Sequence, residues 1–389
     1  MEPIAGQVTK GEFSIEVTTT QQCNLGCTYC FEGCGDNPEE NHKLNETLLD
    51  FAKVAEKIDF LLEDEEFNKR NSGIRIDLWG GEPTLNMPFI MQIFEKYLPN
   101  PKVNFYLPTN GYDIRSLLTL LIYLKENNAL NRMNMQVSYD GRVNNPLRLT
   151  LTGKDSTERV RENILKILDT GVVLGLKATI TASMFPHLIS IWEDYNDLYY
   201  IFKEKGLRLT LAPTIDYYDN KNYSFEKEFE QSMLQIAKKE IDFYKKNGHF
   251  LWKWFNGSKK ECGAGKGISA IDVEGNVLVC HGGFYQDNKE ELTLSSIYDS
   301  NENYRDSIFE FRDNLESYIK KYKEPDYCFN CIATECMRCP VKKSEISNKD
   351  ILFDKWVDHS NQPGLCKYFK IFGKIDRALQ DIIGELNGV

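Results

Sequence analysis

Three cysteines, Cys23, Cys27 and Cys30, stand in the segment Gln22-Cys23-Asn24-Leu25-Gly26-Cys27-Thr28-Tyr29-Cys30-Phe31, spaced C-x3-C-x2-C. Each iron of a four-iron cubane wants a ligand, so three thiolates leave one iron open to another molecule. A zinc knuckle is the alternative, because Cys34 follows closely and would complete a tetrahedral set of four thiolates. The cysteines by themselves leave both readings open. The chain has eleven cysteines, at 23, 27, 30, 34, 262, 280, 328, 331, 336, 339 and 366, and none between 35 and 261. Clusters of this kind in a reducing compartment are metal ligands more often than disulfides, and an odd count leaves a disulfide framework incomplete.

The elements that must position these thiols are legible as an alternation. Phe13–Thr18 reads as a buried strand with Phe13, Ile15 and Val17 on one side, and Leu44–Glu63 has helical periodicity. Further strands are expected at Ile74–Leu78, Val103–Leu107, Met133–Ser138, Val172–Ile180 and Leu207–Leu211. Helices are expected at Met87–Tyr97, Asp113–Lys125, Ser156–Asp169, His187–Lys205 and Phe225–Lys246. Six βα units predict an α/β fold, a parallel sheet curled into a partial (βα)6 TIM-like barrel. Its functional loops belong at the C-terminal ends of the strands. The triad follows the first strand and therefore belongs at that mouth.

Composition bounds the rest. The 389 residues allow more than one domain, and 41% hydrophobic and 27% charged residues are ordinary for a water-soluble protein. Net charge is −11 with Lys and Arg scattered, which argues against nucleic acid as a partner. The longest apolar stretch, near Leu117–Leu124, is far short of a membrane span, and Met1-Glu2-Pro3-Ile4 has no signal-peptide character. A cytoplasmic protein without a membrane partner is expected. Residues 1–250 carry the alternation, and 251–366 are rich in Cys, Gly and polar residues and short of long periodic segments. Metal clusters would hold such a segment together. Residues 367–389 form a closing amphipathic helix through Tyr368, Phe369, Phe372, Ile375, Leu379, Ile382 and Ile383.

Gly80-Gly81-Glu82-Pro83 follows the second strand at the same mouth. The glycines free the backbone for close approach, and Glu82 offers an acceptor for an ammonium; a simple turn is the competing reading. With the cysteine loop one strand earlier, the sequence resembles the radical S-adenosylmethionine enzymes. The resemblance rests on Cys23, Cys27, Tyr29 and Cys30 for C-x3-C-x-aromatic-C, and on 80–83 for Gly-Gly-Glu-Pro. It implies that the open iron chelates the amino and carboxylate groups of S-adenosylmethionine, whose reductive cleavage gives methionine and a 5′-deoxyadenosyl radical. It further implies that Gly80, Gly81, Glu82 and Pro83 hold the methionine amino group. Thr109-Asn110-Gly111 and Ser138-Tyr139-Asp140-Gly141 match further segments, with Ser138 and Asp140 at the ribose and Arg148 on the methionine carboxylate. Strand-end turns and a surface arginine are the bland readings of these residues.

The later cysteines resemble the SPASM extension, with Cys262, Gly275 and Cys280 as C-x12-G-x4-C and Cys328, Cys331, Cys336 and Cys339 as C-x2-C-x4-C-x2-C. The usual middle block is C-x2-C-x5-C-x3-C, one residue longer in each of two gaps. A zinc ribbon on 328–339 is the bland alternative. The resemblance implies three 4Fe–4S clusters, one radical-generating and two auxiliary. Cys328, Cys331, Cys336 and Cys366 would hold the outer auxiliary cluster, and Cys262, Cys280 and Cys339 the inner one. The inner set lacks a fourth thiolate unless Cys34 supplies it; an open iron there suits a substrate thiolate. Cys34 is otherwise a redox-active thiol or a small buried hydrophobe. His281, after Cys280, stands where anaerobic sulfatase maturases carry an aspartate base, and is a base, a substrate contact or a simple hydrogen-bond donor.

The expected function is modification of a ribosomally made precursor peptide, with a thioether between a Cys sulfur and a carbon first. Formylglycine formation, carbon–carbon cross-linking and epimerisation are the alternatives within the resemblance. A zinc-stabilised binding protein is the alternative outside it. About a dozen residues precede the first strand, so leader-peptide recognition falls to the barrel or to a separate leader-binding protein. A flavodoxin- or ferredoxin-type protein would donate the electron.

Overall fold

The structure is a computed structural model, and it describes residues 11–30, 49–143, 146–204, 209–211, 214–215, 226–253, 255, 263–284, 289–321 and 363–387. Six parallel strands form its centre: β1 (Glu12–Thr18), β2 (Gly73–Trp79), β3 (Val103–Thr109), β4 (Met133–Ser138), β5 (Leu174–Lys177) and, after the two-residue β6 (Thr179–Ile180), β7 (Leu209–Leu211). They lie in the order β1-β2-β3-β4-β5-β7, and β6 pairs separately with β8 (Thr214–Ile215). The six βα units expected from the sequence are therefore present in sequence order.

The helices between them are α1 (Phe51–Glu63), α2 (Glu65–Arg70), α3 (Met87–Tyr97), α4 (Arg115–Glu126), α5 (Thr157–Leu168), α6 (Leu188–Glu204) and α7 (Glu226–Asn247). The expected helix at 44–63 begins at Phe51, where Asp50 caps it by accepting from Ala52 N and Lys53 N. The expected strand at 172–180 divides between β5 and β6.

Alternation along each strand sets the two faces of the sheet. On β1, Phe13, Ile15 and Val17 are buried in the core that also holds Ile74, Ile76, Leu78, Phe105, Leu107, Met135 and Val137. The intervening residues are polar and also buried: Ser14 0%, Glu16 4%, Arg75 2% and Asp77 1% exposed. They satisfy one another, as burial requires. Ser14 Oγ donates to Asp77 Oδ2 at 2.6 Å, and Arg75 grips the same carboxylate through Nε (2.6 Å) and Nη2 (2.5 Å). Burial pushes the Asp77 carboxyl up to about 6 against the pull of Arg75. Tyr106 lies under Arg75 and donates to Gln136 Oε1 at 2.9 Å.

The sheet continues across residue 250. β9 (Ile268–Ile271) pairs parallel with β1, β10 (Asn276–Leu278) pairs antiparallel with β9, and β11 (Thr293–Ser296) pairs antiparallel with β10. A one-turn helix, α8 (Lys289–Leu292), precedes β11, and α9 (Asn301–Lys321) follows it. α9 is a correction to the sequence reading, which found no long periodic segment there. Its Tyr304, Ile308 and Phe309 are buried, and Lys57 of α1 donates to Asp299 O and Asn301 Oδ1 at its start. The closing helix, α10 (Pro363–Asn387), packs beside α7, with Tyr368 edge-on to Phe229 and Phe372 stacked on Phe255. Among the described residues no helix is long and apolar enough to cross a membrane.

Glu240 of α7 is fully buried and accepts from Trp192 Nε1 (2.7 Å), Leu251 N (2.7 Å) and Trp252 N (3.0 Å). It ties α6 and the chain after α7 to one carboxylate. Burial pushes it up from 4.5 to about 7. The folded chain therefore holds a proton that the unfolded chain releases, and stability from this group is full below 4.5 and lost as pH rises through 7. Glu240→Gln, neutral throughout, is expected to flatten the fall in wild-type stability across that window, read from denaturant midpoints at a series of pH values.

Candidate functional site

The cysteine loop leaves β1 at Thr18 and is laced from both sides. Gly26 N donates to Leu149 O at 2.8 Å and Thr28 N to Leu147 O at 3.0 Å, so the segment after β4 lies along it. On the other side, Gly81 N donates to Thr20 O (3.0 Å) and Glu82 N to Gln22 O (2.8 Å), carrying the β1–β2 pairing past the strand ends. The glycines at 80–81 serve this approach. A Cβ on Gly80 would stand 2.4 Å from Thr20 O, and one on Gly81 2.5 Å from Gln22 O. The two glycines thus let the backbone of residues 20–22 approach closely.

Cys27 is 8% exposed, and Cys23 and Cys30 are partly exposed. Burial pushes the Cys27 thiol up to about 12, with Arg148 pulling it down and Cys23 and Cys30 pushing it further up. Such a thiol ionises only when strong positive charge arrives. Among the described residues, no three His, Cys, Asp or Glu side chains converge on a single metal ion. Three soft thiolates borne on one loop suit the irons of a 4Fe–4S cluster, one thiolate per iron.

Glu82 is 1% exposed and heavily engaged. It accepts from Thr84 Oγ1 (2.6 Å), Thr84 N (3.2 Å), Thr109 Oγ1 (2.8 Å) and Asn110 N (2.7 Å). Burial moves its carboxyl up while these donors hold it down. Glu82 thereby fastens the end of β3 to the turn after β2. Asn110 carries the link onward: its Nδ2 donates to Asn24 Oδ1 at 2.7 Å and lies 3.7 Å from Cys23 Sγ.

Asp140, after β4, is equally committed. Oδ2 accepts from the Tyr29 hydroxyl and from Arg148 Nε (3.1 Å), and Oδ1 from Thr179 N (3.0 Å). Arg148 Nη1 lies 3.7 Å from Cys27 Sγ. Ser138, Asp140 and Arg148 line one small cleft with Gly141, Leu147 and Ser156. The structure thus brings Cys23, Cys27, Tyr29, Cys30, Glu82, Asp140 and Arg148 into one continuous network at the C-terminal mouth, with Ser138 beside it.

His281 reaches Glu16 and Trp79 of β1 and β2 from the β10 side. It heads a short turn, His281–Gly283, and its ring stacks on Trp79 at 4.0 Å between centroids and 17° between planes. Glu16 holds it: Oε2 accepts from His281 N at 2.8 Å and lies 2.9 Å from Nδ1. Cys280, one residue earlier, is partly exposed. Sequence reasoning missed Glu16 and Trp79 as site residues. The available signal was an acid on the polar side of the alternating run Phe13-Ser14-Ile15-Glu16-Val17. Cys34, Cys262, Cys328, Cys331, Cys336 and Cys339 lie outside the described residues, as does the side chain of Cys366.

A family model described as "4Fe-4S single cluster domain" matches residues 11–160. A GTP 3',8-cyclase of Nautilia profundicola is 26% identical over 232 residues, 58% of this chain and 63% of the relative. The chain thus spans less than two thirds of that relative's length. Among solved structures, native anSMEcpe with bound AdoMet and Cp18Cys peptide superposes with a TM-score of 0.64 at 17% identity, over 95% of this chain and 99% of that one. Streptococcus suis SuiB superposes with a TM-score of 0.52 at 14% identity, over 88% of this chain and 76% of that one. The chain shares the fold of these two solved structures.

Proposed function

We propose that this chain is a radical S-adenosylmethionine enzyme that oxidises a ribosomally made peptide, forming a thioether between a cysteine sulfur and a carbon. One observation carries the peptide-maturase reading. The residue after Cys280 is stacked on Trp79, the last residue of β2, and held by Glu16 of β1, the strand that leads into Cys23, Cys27 and Cys30. A second thiol-bearing segment is therefore tied to β1 and β2, the two strands that lead into the cysteine loop and the turn at 80–83. The anSMEcpe structure, which holds AdoMet and the Cp18Cys peptide, supports a peptide substrate.

Cys23, Cys27 and Cys30 would hold a 4Fe–4S cluster, which when bound supplies the electron that cleaves S-adenosylmethionine into methionine and a 5′-deoxyadenosyl radical. The chain's own part is positional. The backbone at 80–83 and the polar edge at Ser138, Asp140 and Arg148 would seat the methionine and ribose. Trp79 and His281 form an aromatic wall that excludes water and receives the peptide. Thioether formation removes a hydrogen atom and a thiol proton from the peptide and leaves one electron. Cys262, Cys280 and Cys339, with Cys328, Cys331, Cys336 and Cys366, would ligate two auxiliary clusters able to accept it. An electron donor of the flavodoxin or ferredoxin class and a separate leader-binding protein complete the proposal, in the cytoplasm.

Formylglycine formation is the second reading, favoured by the His281–Glu16 pair. A carboxylate 2.9 Å from Nδ1 supports a histidine that takes a proton from a substrate Cys or Ser. Anaerobically reconstituted enzyme with a Cys-containing precursor peptide separates the two. A thioether loses a pair of hydrogens and keeps its sulfur in the mass spectrum, whereas formylglycine from Cys loses the sulfur. Cys280→Ala is expected to spare S-adenosylmethionine cleavage and abolish peptide product. Product formed at the wild-type rate would remove the auxiliary role, and a colourless chain with zinc and no iron would remove the enzyme.

A further inference from the structure

The Arg148 guanidinium is fixed against the cysteine loop from several directions. Nε donates to Asp140 Oδ2 at 3.1 Å, within a pair whose side chains are 14% and 7% exposed. The same oxygen accepts from the Tyr29 hydroxyl, and the guanidinium lies over the Tyr29 ring at 5.4 Å. Asp140 is itself held through Oδ1 by Thr179 N. The backbone is fixed too: Leu147 O and Leu149 O accept from the cysteine loop, and Arg148 O accepts from Ser156 Oγ at 2.7 Å. Arg148 therefore moves with the loop, and its charge cannot swing away. What this geometry aims at Cys27 Sγ is Nη1, at 3.7 Å. Cys23 Sγ has a neutral counterpart in Asn110 Nδ2, also at 3.7 Å.

We infer that Arg148 is a positioning and redox-tuning residue of the cysteine triad, which donates an N–H to the Cys27 sulfur and raises the reduction potential of the cluster the triad holds. The inference rests on the proposed function for the existence of that cluster. The physical ground is independent of S-adenosylmethionine. Taking up one electron adds a negative charge shared with the ligand sulfurs. A fixed cation and a hydrogen bond at one of those sulfurs stabilise the reduced state more than the oxidised one. Asp140 offsets part of this charge, but it faces Nε while Nη1 faces the sulfur. Asn110 adds a smaller push in the same direction.

The test is a redox titration of the reconstituted full chain, without S-adenosylmethionine, followed by electron paramagnetic resonance during stepwise reduction. The triad's signal is the one missing from Cys27→Ala. Leaving out S-adenosylmethionine separates this role from any grip of Arg148 on the methionine carboxylate. Arg148→Met, losing charge and donor, is expected to need at least a tenfold more reducing ratio, a midpoint lowered by about 59 mV or more for one electron. Arg148→Lys, keeping the charge and losing the fork, is expected between the two, and Asn110→Leu to shift less than Arg148→Met. An unshifted or raised midpoint in Arg148→Met, with wild-type circular dichroism and iron content, overturns the inference. Should Arg148→Met fail to load iron, an unshifted or raised midpoint in Arg148→Lys overturns it instead. A wild-type chain with no Cys27-dependent signal overturns the proposed function rather than the role of Arg148.

Discussion

Cys27→Ala is expected to lower S-adenosylmethionine cleavage by at least about 10³-fold, to a level indistinguishable from background. Cys27 is the most buried of the triad and lies beneath Arg148. Its burial makes the free thiol a poor acid, so its ionisation is coupled to the arrival of metal charge. Alanine removes one of three thiolates and leaves the Arg148 guanidinium facing a void. Little folding stability is at stake, since deleting one buried sulfur costs about 1 kcal/mol and the surrounding backbone lacing is untouched. The result should therefore be a folded chain with unaltered circular dichroism and iron lowered by about four atoms, the content of one cubane. Cleavage retained with full iron would show that the triad does not hold the cluster. Partial iron loss with retained cleavage would move the function to the later cysteines.

The barrel was readable in the sequence because its two periods are clean. Strands such as Phe13-Ser14-Ile15-Glu16-Val17 alternate strictly, and each following helix has an apolar stripe. What could not be read was the role of the polar half of that alternation. Ser14, Glu16, Arg75 and Asp77 look solvent-facing in the sequence, yet they are buried together, because a curled sheet has two interiors. Glu16 was lost for that reason, and with it the seat of His281. The glycines at 80–81 were visible as a site of close approach, but the partner was not, since backbone contact between residues 20–22 and 80–82 is tertiary. Asp140, Arg148 and Glu82 stand out in the sequence by motif. Motif matching names what a residue would touch in a cofactor; it does not show that protein donors already surround these carboxylates. Helix α9 was missed because its buried residues are few and set among charges, so packing on α1 and β11 decides it more than periodicity does.

Glu82→Ala is expected to cost about 3–5 kcal/mol of stability, the largest single-residue loss in the site. Glu82 is 1% exposed, and its carboxylate answers two backbone N–H groups and two hydroxyls. The hydroxyls of Thr84 and Thr109 can turn to other acceptors, but the N–H groups of Thr84 and Asn110 cannot. Asn110 is also the link to Asn24 and Cys23, so a loosened Asn110 loosens the first ligand of the triad. Denaturant unfolding should show a lowered midpoint with an unchanged slope, accompanied by faster iron loss to a chelator. Glu82→Gln keeps the shape and one oxygen but turns an N–H toward Asn110 N or Thr84 N, and should lose about half as much. The resemblance to radical S-adenosylmethionine enzymes assigns Glu82 to the methionine ammonium, and this predicts a different pattern. Near-normal stability and iron retention with a raised KM for S-adenosylmethionine would place Glu82 on the cofactor. A lowered midpoint and faster iron loss in both variants, with the alanine worse, would make Glu82 the peg that sets Asn110 against Cys23.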